Sequence, residues 1–305
     1  MGVASGVLVA VERAVRGKPD AVRLAVATLL SGGHLLLQDL PGTGKTLLAK
    51  ALAQAIGGRF GRIQCTPDLL PTDLTGTSVY QPATGEWSFR PGPIFANVVL
   101  VDEVNRASPR TQSALLEPME ERQVTVDGST RALPDPFLCI ATQNPFGQLG
   151  TFPLPESQLD RFALVLSLGT LGREAERAVL VGEGGVGVLA GATAATTPEA
   201  VALATAAIRH LPVAPALVDY LLDLADRTRT EPRLRVGAST RAVQGVLDLA
   251  RGHAVVSGRG HVTPDDVQFV FRSALAHRVV ASEPGDVAGA WQVLGDILAT
   301  TPVPR

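Results

Sequence analysis

One short run, Pro41-Gly42-Thr43-Gly44-Lys45-Thr46, has the residue types needed to hold a chain of phosphates. Its glycines let backbone N–H groups curl around oxygens without Cβ clashes. An apolar run at residues 35–40 precedes it, and a helical pattern at 47–56 follows. Strand, glycine loop and helix in that order bring the positive end of a helix to the anion. Lys45 is expected to neutralise the β- and γ-phosphates of ATP, and the Thr46 hydroxyl to ligate Mg²⁺. The candidate ATP-binding residues here are Pro41, Gly42, Thr43, Gly44, Lys45, Thr46 and Leu47. Asp39 departs from the general pattern, which has glycine at its position. A carboxylate beside phosphates either points away or weakens binding.

Four apolar residues, Val98-Val99-Leu100-Val101, run into Asp102-Glu103. Parallel strands present their carboxyl ends to a ligand, so both acids are expected at the phosphate edge. Asp102 is expected to hold Mg²⁺ through water, and Glu103 to act as general base on the attacking water. Asn144 ends a further apolar run and has an amide suited to orient that water, although Asn144-Pro145 also reads as a plain turn.

These groups need elements to carry them. Short β-type runs at 35–40, 62–65, 98–102, 138–142 and 163–168 alternate with helical stretches. Continuously apolar strands of that length argue for an α/β fold with a parallel sheet covered on both faces. From 173 to 300 the pattern is helical with no convincing strand. Ala216, Leu217, Tyr220, Leu221 and Leu224 share one helix face. Thr263-Pro264-Asp265-Asp266 supplies an N-cap, a first-turn proline and first-turn acids. The expected division is a nucleotide-binding core at 1–170, a linker at 171–197 and an all-α unit at 198–305. The glycine-rich stretch 182–197 is expected to be a flexible join.

The 305 residues carry a formal net charge of -2, and 46% are hydrophobic. Such a chain builds a substantial core, and no bulk positive charge draws it to nucleic acid. The two cysteines, Cys65 and Cys139, lie in apolar runs and read as buried thiols in a reducing cytoplasm. No apolar stretch of about 18 residues suggests a membrane span, and Glu12, Arg13, Arg16, Lys18 and Arg23 break any leader pattern. The five histidines show no metal-ligand spacing.

Longer strings add a resemblance. GPIFANVVLVDEVNRASPRTQSALLEPMEERQVTVDG and ATQNPFGQLGTFPLPESQLDRF resemble the MoxR family of AAA+ ATPases, as do RIQCTPDLLPTDLTG and RVGASTRA. The likeness spans roughly residues 24–280. It implies an AAA+ P-loop NTPase core, a five-stranded parallel sheet in order 5-1-4-3-2, followed by an all-α lid domain. It also implies a homo-oligomeric ring, usually a hexamer, with ATP between subunits. By position, Asn144 matches sensor 1, Arg161 the arginine finger that reaches the adjacent protomer, and Arg241 sensor 2. Ser239 can cap a helix that has Arg241 in its first turn. In that family Asp at position 39 is compatible with the loop. Arg106 and Arg110 either face a neighbour or are solvated.

Two insertions fit the same branch. A hairpin at 78–89 carries Tyr80, Trp87 and Phe89, which form either a small cluster beneath it or a pore- or partner-facing surface. A second hairpin at 123–133 turns on Asp127-Gly128 and resembles the pre-sensor-1 hairpin. Pro118 lies inside a helical pattern that starts near Ser108-Pro109, so a kink or early end is expected there. The resemblance implies ATP hydrolysis coupled to chaperone-like remodelling or activation of a client or adaptor, in some cases one with a von Willebrand factor A domain. The ATPase subunit of a metal chelatase, a DNA motor and a nucleotide-gated scaffold are the alternatives.

Overall fold

A computed structural model of the chain describes residues 2–144, 150–283 and 287–304. Pro145 of the Asn144-Pro145 turn lies outside the described residues.

Two helices, α1 (Gly2–Ala14) and α2 (Pro19–Leu30), come first. β1 (Leu35–Gln38) leads through the glycine loop into α3 (Lys45–Ala55). β2 (Phe60–Gln64) and the short α4 (Pro71–Thr75) precede a hairpin of β3 (Gly76–Gln81) and β4 (Glu86–Pro91). β5 (Val98–Asp102) ends in the acidic pair and is followed by a 3-10 turn, Val104–Arg106. Next come α5 (Pro109–Ser113), α6 (Leu116–Glu121) and a hairpin of β6 (Gln123–Val126) and β7 (Ser129–Ala132). Its Asp127 and Gly128 both have positive φ, 51° and 72°, as a type I′ turn requires. β8 (Leu138–Gln143), α7 (Glu156–Leu159) and β9 (Leu164–Leu166) complete the α/β part. The remainder comprises α8 (Arg173–Leu180), α9 (Gly185–Ala190), α10 (Pro198–Ile208) and α11 (Pro215–Thr230). It continues with β10 (Leu234–Val236), α12 (Thr240–Val256), α13 (Pro264–Leu275), β11 (Val280–Ala281) and α14 (Val287–Thr300).

The main sheet runs β2-β5-β8-β1-β9 with every pairing parallel. Renumbered within the sheet alone, that is the expected 5-1-4-3-2. Alternate residues of each strand serve opposite faces. Leu35, Leu37, Val98, Leu100 and Ile140 join a core with α1, α2, α3 and the C-terminal helices. Leu36, Val99, Val101, Cys139 and Ala141 join a second core with Leu115, Met119, Phe137 and Phe162. Burial on both faces is why β1, β5 and β8 read as nearly unbroken apolar runs, whereas the edge strand β2 exposes Arg62 and Gln64.

Two expectations need correction. The C-terminal region does contain strands: β10 and β11 pair antiparallel, Leu234 opposite Ala281. Segments of three and two residues are too short to leave an alternation in the sequence. The stretch 182–197, expected as a flexible join, contains α9 and is tethered to α3. Ala195 and Thr196 donate to the Ala55 carbonyl at 2.8 and 3.2 Å, and the Gln54 amide donates to the Ala192 carbonyl. The early end expected near Pro118 is present: the helix from Pro109 ends at Ser113, and a new one starts at Leu116. Pro118 then falls in a first turn, where the missing N–H has no helical partner to lose.

The aromatic hairpin divides between the two readings offered for it. Phe89 packs edge-on to Phe95, centroids 5.7 Å apart, beneath the Arg131 guanidinium at 3.9 Å. Tyr80 and Trp87, paired across the strands at 5.4 Å, are 48% and 71% exposed.

His34, 3% exposed, ties the layers together. Its Nδ1 accepts from the Cys139 N–H at 3.1 Å, and Nε2 donates to the Met119 carbonyl at 2.9 Å. Burial, then the Arg122 charge, lower its pKa from 6.5 to about 3. The unfolded chain therefore binds a proton that the folded one refuses between those values, and stability falls as pH drops from 6.5 toward 3. The slope is about 1.4 kcal/mol per pH unit. Urea unfolding at pH 7.5 and pH 5.0 is expected to differ by about 2 kcal/mol from this group. His34→Gln should be less stable at pH 7.5 yet lose that part of the slope.

Candidate functional site

The register of the sheet brings the chemistry to one edge. Gln38 at the end of β1 sits opposite Gln143 of β8, and Gln64 of β2 opposite Asp102 of β5. Beyond those ends lies a cavity of about 460 Å³. Pro41, Gly42, Gly44, Lys45, Thr46 and Leu47 form one side, and Asp102, Glu103 and Asn144 another. Thr43 is not in the wall; its hydroxyl donates to the Leu40 carbonyl at 3.2 Å and closes the loop. Gly42 and Gly44 have φ of 84° and 97°, which side chains disfavour.

Asp39 resolves the electrostatic concern. It is 6% exposed, and its carboxylate accepts from Ser167 Oγ at 2.8 Å, the Leu168 N–H at 2.5 Å and the Gly169 N–H at 3.0 Å. It thus fastens the start of the loop to the segment after β9, and its charge is answered there. Lys45 Nζ donates to the carbonyls of Asp39 (3.1 Å) and Leu40 (2.6 Å). Its ammonium is held at the loop by neutral acceptors that a phosphate can replace.

The acidic pair is built around Thr142, which the sequence reading missed. Its hydroxyl donates to Asp102 Oδ1 at 2.7 Å and accepts the Glu103 N–H at 2.8 Å. Arg62 Nη2 donates to Asp102 Oδ2 at 2.8 Å. Glu103 Oε2 accepts from Arg106 at 3.0 Å and Gln64 at 3.5 Å. Glu103 adopts left-handed backbone, φ 55° and ψ 50°, at a cost of about 1–2 kcal/mol for a residue with a Cβ. Burial, then the charges of Asp102 and Glu103, push the Cys65 thiol up to about 12. Gln64, Thr142, Gln143 and Val186 also line the cavity. Only Arg62-Ile63-Gln64, with its polar–apolar alternation, left a trace of this in the sequence.

Arg161 and Arg241 are brought to each other and not to Lys45. They line a separate cavity of about 340 Å³ with Glu120, Arg122 and Arg209. Arg161 pairs with Glu120. Arg241 reaches the same carboxylate at 2.9 Å and Asp160 at 3.6 Å. Burial, then the Arg241 charge, lower the pKa of Arg161. The Ser239 hydroxyl caps α12 by accepting the Ala242 N–H at 3.2 Å, so Arg241 is in the first turn. Arg106 is engaged by Glu103, and Arg110 is exposed.

Residues 34–164 match the ATPase family associated with various cellular activities (AAA), and residues 226–291 match the AAA lid domain. YeaC of Bacillus subtilis is 40% identical across 96% of this chain and 92% of its own length. Chaperone MoxR1 of Mycobacterium tuberculosis is 39% identical across 97% of this chain and 81% of its own. Protein MoxR of Paracoccus denitrificans is 31% identical across 95% and 93%. The chain belongs to the MoxR family of AAA+ ATPases. A crystal structure of a protein from Cytophaga hutchinsonii superposes with a TM-score of 0.89 at 34% identity, covering 98% of this chain and 94% of that one. In this MoxR-family chain the AAA match contains Arg161 and the lid match contains Arg241. The two arginines therefore meet where core and lid touch.

Asp39→Gly would restore the general loop pattern while removing three hydrogen bonds to a buried carboxylate. Because the Leu168 and Gly169 N–H groups lose their acceptor, a loss of about 2–4 kcal/mol is expected in chemical denaturation. ATP affinity should not improve.

Proposed function

We propose that this protein is a ring-forming ATPase that hydrolyses ATP with Mg²⁺ at sites completed by a neighbouring subunit. Turnover would drive chaperone-like remodelling or activation of a partner protein. The observation that carries this reading is the separation of the two sets of charged groups. Lys45, Thr46, Asp102 and Glu103 share one cavity, while Arg161 and Arg241 share another. A nucleotide on Lys45 meets such arginines when a second copy supplies them.

The residues fit the group they would hold. A cavity of about 460 Å³ lies in the usual range for small-molecule sites. Its hydroxyl and carboxylate oxygens, on Thr46 and Asp102, suit a hard cation. Asp102 already answers a positive charge, that of Arg62. Bound Mg²⁺ would supply charge neutralisation at the phosphates. Pro41, Gly42, Thr43, Gly44 and Leu47 would shape and close the loop, and Lys45 would exchange its carbonyl acceptors for phosphate oxygens. Glu103, its backbone fixed by Thr142, would take the proton of the attacking water, and Asn144 would orient that water. Arg161 and Arg241 would spread charge on the neighbour's γ-phosphate.

A hexamer is the ring we propose, and the cytoplasm its compartment. Both cysteines are free and buried, which suits a reducing compartment. Among the described residues no helix is long and apolar enough to cross a membrane. One relative is named a chaperone, and a client or adaptor is the partner we infer, with a von Willebrand factor A domain protein as the specific candidate.

Glu103→Gln is expected to bind ATP normally and lose turnover by about 10²-fold or more. Single-turnover hydrolysis with labelled ATP measures this, and undiminished hydrolysis would remove Glu103 as the base. Specific activity of the unmodified protein should rise with concentration and then level. Activity that is flat down to dilutions at which sedimentation shows only monomer would contradict a shared site.

A further inference from the structure

The second cavity gathers four guanidiniums, of Arg122, Arg161, Arg209 and Arg241, around one carboxylate, Glu120. Like charges at close range repel, so each needs an acceptor or an anion. Arg122 is engaged by backbone and donates to the Gly32 and Phe137 carbonyls. Arg161 and Arg241 close instead on the same residue, Glu120.

We propose that Glu120 is a positioning residue for ATP hydrolysis, clasping Arg161 and Arg241 side by side so that both reach the neighbour's nucleotide together. This rests on the shared-site reading above. The two arginines belong to different elements, the turn after α7 and the first turn of α12. Among the described residues no other carboxylate contacts both. Asp160 holds Arg241 at 3.6 Å and Arg278 at 3.1 Å, but not Arg161.

Glu120 is itself a fixed point. One turn earlier on α6, Glu117 accepts from the Thr125 N–H at 3.1 Å and its hydroxyl at 2.6 Å. The Met119 carbonyl accepts from His34. α6 is thus anchored to β6 on one side and to the residue before β1 on the other. A carboxylate on that anchor lowers the repulsion between two guanidiniums while cancelling only one of their charges. The pair stays net positive for a phosphate. Arg241 and Glu120 are substantially exposed, and exposed ion pairs add little to stability. Geometry is where the contact counts, because small misplacements of charged groups cost large factors in rate.

The test is steady-state hydrolysis by the full chain carrying Glu120→Ala. Its kcat should fall roughly tenfold or more, with KM for ATP within about twofold of wild type, since Glu120 does not line the Lys45 cavity. Mixing this variant with Glu103→Gln subunits should restore activity. The Glu120→Ala subunits keep an intact phosphate loop and acids, and the Glu103→Gln subunits supply intact arginines. Arg161→Ala mixed with Glu103→Gln is the control and should recover likewise. A wild-type kcat in Glu120→Ala overturns the proposal. So does recovery in the control mixture without recovery in the Glu120→Ala mixture, because Glu120 would then serve its own subunit. Silence in both mixtures overturns the shared-site reading beneath it. If Glu120→Ala melts far below wild type, Glu120→Gln keeps the size, removes the charge and goes through the same mixtures.

Discussion

Everything at the phosphate edge depends on the register of four parallel pairings. Because side chains alternate across a sheet, a slip of one residue in β5 would exchange Val99 and Val101 for Val98 and Leu100 between the two cores. The same slip would move Asp102 away from Gln64 and out of reach of Thr142. The two cores are of different composition and built by different elements, so each strand has one position that satisfies both. Fold stability and the placing of the acids are in this sense the same constraint. β1 sits between β8 and β9, and that neighbourhood is what lets Asp39 reach Ser167, Leu168 and Gly169.

Local strain is placed where the chemistry is expected. The chain leaves β5 in extended form and turns at once into left-handed backbone at Glu103. Thr142 of the adjacent strand offers one hydroxyl to both acids, as donor to Asp102 and acceptor for Glu103. A hydroxyl can do both, and an apolar residue of the same shape could do neither. Two neighbouring carboxylates are thereby given different surroundings: Asp102 faces Arg62, and Glu103 faces Arg106 and Gln64.

Much of this was legible in the sequence, for reasons that can be named. The central strands β1, β5 and β8 are written as nearly unbroken apolar runs and the edge strand β2 as alternation, so the five strands and their order were recoverable once the motifs and the family likeness were in view. Glycine, lysine and acid at strand ends are written locally as well. What escaped depends on contacts between distant segments. Thr142 looks like any small polar residue near the end of a strand; its importance comes from Asp102, on another strand. Glu120 reads as one acid among several on a helix until Arg161 and Arg241 arrive from positions far along the chain. Asp39 looked like a liability because its partners follow β9. The stretch 182–197 looked loose because its glycines are visible and its tether to Ala55 is not.

The exposed tip of the first hairpin has a practical side. The chain has only two tryptophans, Trp87 and Trp291. Trp87, 71% exposed, lies beside Tyr80, whereas Trp291 on α14 is 38% exposed and has the Arg272 guanidinium over its ring at 4.8 Å. Indole emission shifts to shorter wavelength when water is replaced by protein. The molecule therefore carries a built-in optical gauge at the hairpin tip, with a second indole on α14 as its internal reference. Anything that settles on that tip will announce itself in the colour of the light the protein emits.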